Sequence, residues 1–116
     1  MTTRFEVVTE RGDNDLGVIA LSGEVDIYTA PQFKARLNEL LDDGVTRLVV
    51  DLSEVDFIDS TALGVLIGGV RSIRAASGQM ALVVATRPVE RVLSITGLDR
   101  VFAICGSRED ALKTFD

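Results

Sequence analysis

The chain has no histidine and no tryptophan, and its 116 residues include one cysteine, Cys105, and one tyrosine, Tyr28. Histidine is the commonest general base near neutral pH and the commonest metal ligand, so most hydrolase and metalloenzyme schemes lose their central residue. A lone cysteine closes no internal disulfide and builds no multi-thiolate zinc site. Basic charge is scarce as well: 12 Lys and Arg stand against 18 Asp and Glu, a formal net charge of −6. Nucleic acid and anionic membrane surfaces are bound through basic faces, which this balance argues against. No run approaches the ~18 apolar residues of a membrane span, and Met1-Thr2-Thr3-Arg4-Phe5-Glu6 lacks the basic, apolar, small-residue order of a secretory signal. A cytoplasmic protein is the expectation. Proline is limited to Pro31 and Pro88, each opening a helical pattern, and no linker composition, like-charge run or repeat divides the chain.

What is present suits a single domain over residues 1–116. A chain of this length buries about two thirds of its unfolded surface and can hold a core without staples. Residues 4–10 and 17–25 read as strands joined across the Gly12-Asp13-Asn14-Asp15 turn cluster, and polar Glu6 and Glu10 put the first near a sheet edge. From Phe33 through Leu37, Leu40 and Leu41 the apolar positions follow one helical face, predicting a helix over 30–43. Thr29 with Gln32 fits a capping box, and Gly44 stands where a left-handed residue ends the helix. Residues 47–51 form a short run without alternation, as in a central strand covered on both faces and parallel to a neighbour. A second helix over 60–77 carries Leu63, Leu66, Ile67, Val70 and Ile73 on one stripe and ends at Ser77-Gly78. A strand over 79–85, a short helix from Pro88 to Ile95 stopped by Gly97, and a strand over 101–104 follow. Ser107 then starts a final helix bearing Ala111, Leu112 and Phe115. The order ββαβαβαβα predicts an α/β fold with a mixed, mostly parallel sheet.

In such sheets the strand ends leading into helices form the usual functional edge. Acids collect there in the sequence: Glu24 and Asp26 after the second strand, then Asp51, Glu54, Asp56 and Asp59 after the third. Carboxylates so grouped can hold magnesium, work as an acid/base pair, face a basic partner, or simply be solvated. The most informative stretch is Val55-Asp56-Phe57-Ile58-Asp59-Ser60-Thr61-Ala62-Leu63-Gly64. Phe57 and Ile58 read as a pair entering the core, and Asp59, Ser60 and Thr61 are three N-cap candidates before an apolar helix. That is sufficient for a capped helix with no further role. A serine there also sits where free N–H groups and the positive helix end favour an anion, so a phosphate on it would be well tolerated.

Asp59-Ser60-Thr61-Ala62-Leu63-Gly64-Val65-Leu66-Ile67-Gly68, with Ser22-Gly23-Glu24-Val25-Asp26-Ile27-Tyr28-Thr29-Ala30 upstream and Ile95-Thr96-Gly97-Leu98 downstream, resembles the anti-sigma factor antagonists of the STAS family. The resemblance spans essentially the whole chain and implies a STAS-type domain. It implies phosphorylation of Ser60 by an anti-sigma factor that is itself an ATP-dependent serine kinase. The unphosphorylated form then binds that kinase and frees the sigma factor, and a serine phosphatase restores it. By the same resemblance Asp26 lies beside the phosphoserine and contacts the partner; Tyr28, Asp59, Thr61 and Gly64 are expected on their position as further contacts. Ala62 stands where the family often has glycine, and alanine suits a helix better than glycine by ~1 kcal/mol.

Other readings stay open beside this one. Thr61 is an alternative acceptor, or a first-turn residue bonding backbone. Gly64 and Gly68, with Gly69 adjacent, serve either close packing or a partner groove. Tyr28 is a contact or, on packing grounds, a buried ring; Leu98 and Phe102 read as core, Cys105 as a small buried residue, Lys34 and Lys113 as solvated. A receiver-like domain phosphorylated on Asp51 lacks the acidic pair and late lysine it needs, and a Ser60 nucleophile lacks a base. A non-switching STAS scaffold or transporter-attached module is the remaining rival. No cofactor is expected, since no Gly-rich phosphate loop occurs, and the free protein is expected to be a monomer.

Overall fold

A computed structural model of the chain describes residues 4–115, so Met1-Thr2-Thr3 and Asp116 lie outside the described residues. β1 (Glu6–Arg11) and β2 (Leu16–Val25) form an antiparallel hairpin whose turn places Asn14 and Asp15 at φ 59° and 58°. Short polar side chains tolerate that left-handed backbone, which is why the turn cluster reads so plainly. α1 (Ala30–Asp42) buries Phe33, Leu37 and Leu40, and Gly44 follows it at φ +90°, where a Cβ would be strained. Next come β3 (Arg47–Ile58), α2 (Ser60–Ala75), β4 (Gln79–Val83), α3 (Arg87–Thr96), a 3-10 turn (Leu98–Arg100), β5 (Ala103–Cys105) and α4 (Arg108–Lys113). The sheet order is β1-β2-β3-β4-β5, with every pair after the hairpin parallel.

Period-2 alternation divides the strands between two layers. Ile19 and Leu21 of β2, Leu48, Val50 and Leu52 of β3 and Leu82 of β4 join Phe33 and Leu37 of α1, Leu66 and Ile73 of α2 and Leu93 of α3 in the main core. Val49, Ala81 and Val83 point the other way, under Ala111 and Phe115 at the C-terminal helix. β3 is thus central and covered on both faces, as its unbroken apolar run implies. Leu98 packs half-buried against the core and Phe102 is buried, also as expected.

β3 is longer than its apolar run suggests. After Ala20↔Asp51 the next partners are Ser22↔Glu54, and after Gly23↔Val55 they are Glu24↔Phe57, so each irregularity adds a residue to β3. Such bulges break the alternation from which a strand is read. Glu54 and Asp56 therefore lie within a strand, not in the loop where the sequence placed them. Ile58 enters the core, but Phe57 does not, remaining 46% exposed. The last strand also begins later, at Ala103, because Arg100 and Val101 close the 3-10 turn through bonds to Gly97 and Leu98. Leu112 of α4 is exposed, unlike its neighbours Ala111 and Phe115.

Asp51 departs furthest from expectation. It lies mid-strand on the α4 face, only 7% exposed, and accepts a 2.6 Å hydrogen bond from Arg108 Nε. Arg108 also reaches Glu10 of the edge strand at 3.2 Å, tying α4 to the sheet. Burial works to raise the Asp51 carboxyl, but hydrogen bonds from Arg108 and Ser53 outweigh it and hold the group below its ordinary value. This bound carboxylate cannot serve as a receiver-type phosphoacceptor at the functional edge. A lowered folded-state pKa contributes stability above the unfolded value, about 3.9, and that contribution is lost as pH falls through the folded value. Asp51→Asn is therefore expected to cost about 1.5 kcal/mol at neutral pH, a value discounted for the half-exposed arginine. Urea unfolding at pH 7 and at pH 3 checks this; a deficit of the same size at both would contradict it.

Candidate functional site

The ends of β2 and β3 lie side by side, with Val25 opposite Ile58 and the Asp59 N–H donating to the Val25 carbonyl at 3.2 Å. This brings two loops together, one headed by Asp26 and the other by Asp59. Asp26 Oδ1 accepts the N–H groups of Tyr28 and Thr29 at 2.9 and 3.1 Å, closing an Asx-type turn. The Thr29 hydroxyl accepts from the Asp26 N–H and donates to the Glu24 carbonyl, both at 2.9 Å. The capping box expected of Thr29 and Gln32 consequently does not form, because the hydroxyl is engaged by the loop before it. The turn also throws Ile27 and Tyr28 outward; Tyr28 is 85% exposed, so its ring is presented to solvent rather than packed.

At the second loop, Asp59 proves to be the cap among the three candidates. Its Oδ1 accepts the N–H groups of Thr61 and Ala62 at 2.9 and 3.1 Å. Ser60 is the first residue of α2, exposed, and its hydroxyl bonds no other described residue. Thr61 is exposed too and lies along the cleft between α1 and α2. Asp26 and Asp59 thus stand together at this edge, while Asp51 is absent from it. Among the described residues no group of three or more potential ligands could hold a metal ion.

The cleft between α1 and α2 encloses about 550 Å³ and is lined by Thr61, Gly64, Val65, Gly68, Lys34 and Asn38, among others. Its glycines divide by role. A Cβ on Gly69 would meet Leu37 Cδ2 at 2.8 Å and Met80 Cε at 3.0 Å, so that glycine serves close packing. On Gly64 or Gly68 a Cβ would meet nothing within 4 Å, which leaves the groove reading for those two. Helix-interior glycine is about 0.8–1 kcal/mol less favourable than alanine. Gly68→Ala is therefore expected to stabilise the isolated chain by about 0.8 kcal/mol, measured as a raised urea midpoint, whereas destabilisation would show hidden packing. Cys105 is half-buried, and Lys113 pairs loosely with Glu109 at 3.9 Å. Sequence reasoning missed the exposed pair Phe57 and Ile95, and the bulges in β3 hid the signal for the first.

The family model described as the STAS domain matches residues 6–111. The chain is 37% identical over 93 residues to an anti-sigma-B factor antagonist of Listeria monocytogenes, covering 79% of this chain and 81% of the relative. It is 31% identical over 105 residues to the anti-sigma-F factor antagonist RsfB of Mycobacterium tuberculosis, covering 90% and 85% of the two chains. A crystal structure of an anti-sigma factor antagonist from Mycobacterium paratuberculosis superposes with a TM-score of 0.88 at 28% identity, covering 97% of this chain and 94% of that one. The five-stranded mixed sheet, the capped α2 and the matched span agree, and the chain belongs to the STAS domain family.

Proposed function

We propose that this chain is an anti-sigma factor antagonist, switched by phosphorylation of Ser60. The observation that carries the reading is Ser60 itself, an exposed hydroxyl without a described partner at the positive end of a 16-residue helix. The names of the Listeria and Mycobacterium relatives support the same role. The unphosphorylated protein binds an anti-sigma factor with serine kinase activity and releases the sigma factor. The contact surface comprises Ser60 and Thr61 with Asp59, the Asp26–Tyr28 loop beside it, and Gly64 one turn along α2. A phosphate on Ser60 adds about −1.5 to −2 charges at pH 7 next to carboxylates already on both loops. With the Thr61 and Ala62 N–H groups already held by Asp59, the positive end of the α2 dipole is what tolerates it within the fold, while a partner carboxylate about 4 Å away would be repelled by a few kcal/mol at an effective dielectric near 20.

On this reading the whole chain, 1–116, acts as one binding domain in the cytoplasm, as a monomer when free. It performs no reaction of its own, and a separate serine phosphatase resets it. The test is incubation with the organism's anti-sigma factor kinase and Mg-ATP, with the phosphate mapped by mass spectrometry. One phosphate on Ser60, abolished in Ser60→Ala, is the expected result. Phosphate on Thr61 instead would reassign the acceptor, and binding without any phosphorylation would favour a non-switching scaffold.

A further inference from the structure

β4 ends at Val83 while β3 continues to Ile58, so α3 flanks the free part of β3, where the Thr86 hydroxyl donates to the Val55 carbonyl at 2.8 Å. α3 turns Val89 and Leu93 into the core. Arg87, Arg91 and Ile95, spaced by four, form a second stripe on the helix. Together with Phe57, Pro88, Val92, Ser94 and one carboxylate, Glu90, this stripe lines a groove of about 810 Å³. Ile95 is 77% exposed, although nothing in the fold requires an isoleucine in solvent there. Neither guanidinium belongs to any ion pair or side-chain hydrogen bond among the described residues. Two like charges four residues apart repel each other, so the helix alone gains nothing from the arrangement. Exposed apolar and aromatic side chains flanked by arginine are the composition of an interface centre.

We propose that this groove docks an acidic amphipathic helix of a protein partner, its apolar stripe on Phe57 and Ile95 and its carboxylates on Arg87 and Arg91. Charge complementarity selects the occupant: within a chain of net charge −6, this groove sets two arginines, neither in a described ion pair, against one carboxylate, Glu90. The groove requires neither phosphate nor a bound partner at Ser60, so it stands apart from the switch.

The test uses the full ¹⁵N-labelled chain titrated with a short synthetic helix of leucine at three- and four-residue spacing and glutamate elsewhere. A twin peptide has lysine in place of each glutamate. Amide shifts confined to Phe57 and residues 87–95, with affinity about tenfold above the lysine twin, are expected. Arg91→Glu should lower that affinity about tenfold, whereas Lys113→Glu, an equal change of net charge on α4, should leave it unaltered. Ile95→Ser, at an exposed site that does not threaten folding, should weaken both peptides. Equal binding of the twins, shifts centred elsewhere, or a concentration-dependent dimer burying the groove would overturn the proposal.

Discussion

Phosphorylation of Ser60 is expected to weaken binding of the chain to its anti-sigma factor about a hundredfold, and Ser60→Asp about tenfold, with Ser60→Ala close to the unmodified protein. The gradation follows charge: phosphate brings about two negative charges and three acceptor oxygens, aspartate one charge on a shorter arm. Each tenfold step is about 1.4 kcal/mol, within what a misplaced charge costs at a partly desolvated contact. The fold itself should be indifferent, because Ser60 is exposed in the first turn of α2, where negative charge favours the helix. Titration calorimetry against the purified anti-sigma factor supplies the affinities, and thermal unfolding of the same samples supplies the control. Undiminished affinity of the phosphorylated form would end the switch proposal. Equal losses of affinity and stability would relocate the effect from interface to fold.

The second large effect concerns a residue far from that edge. Gly78→Ala is expected to cost about 3 kcal/mol. An added Cβ would lie 2.3 Å from the Thr46 carbonyl oxygen and 2.8 Å from Ile73 Cγ1. The first of these atoms is backbone and cannot swing aside as a side-chain tip can. Thr46 O also accepts the Gln79 N–H at 2.8 Å, and the Gly78 N–H is bound to Ile73 O at 2.7 Å. Moving the chain apart would therefore strain the junction where α2 hands over to β4. Overpacking costs of about 1–3 kcal/mol, with about 1 more for a weakened hydrogen bond, set the size. Equilibrium urea unfolding measures it. Gly106→Ala, where a Cβ meets nothing within 4 Å, is the matched control, and similar small losses in both would refute the steric account.

Gly78 also shows how the sequence can indicate the right place for the wrong reason. Ser77-Gly78 reads as a helix stop, yet the left-handed backbone falls on Ser77, at φ 63°, and the glycine is required for space. Element order was legible because hydrophobic period changes from 2 to 3.6 and back, and Gly44 and Gly97 end their helices at φ 90° and 77° as read. The extent of β3 was not, since two bulges carry Glu54 and Asp56 along a strand that no longer alternates. Local chemistry placed Ser60 correctly: an aspartate followed by N–H groups two and three residues on is a cap wherever a helix begins. Thr29 had the same competence but found the Glu24 carbonyl first, a choice made by loop geometry rather than composition. Asp51 was misplaced for another reason, because the arginine that claims it is 57 residues away.

The strictly sequential strand order has a bearing on what kind of ligand this sheet suits. Small molecules bind open α/β sheets at a topological switch point, where successive crossovers leave a strand in opposite directions and open a crevice between their helices. Here every parallel step from β2 to β5 moves the same way, and α1, α2 and α3 all lie on the main-core layer. No such reversal occurs among the described strands. The edge instead offers two abutting loops on which Tyr28 and Ser60 are exposed.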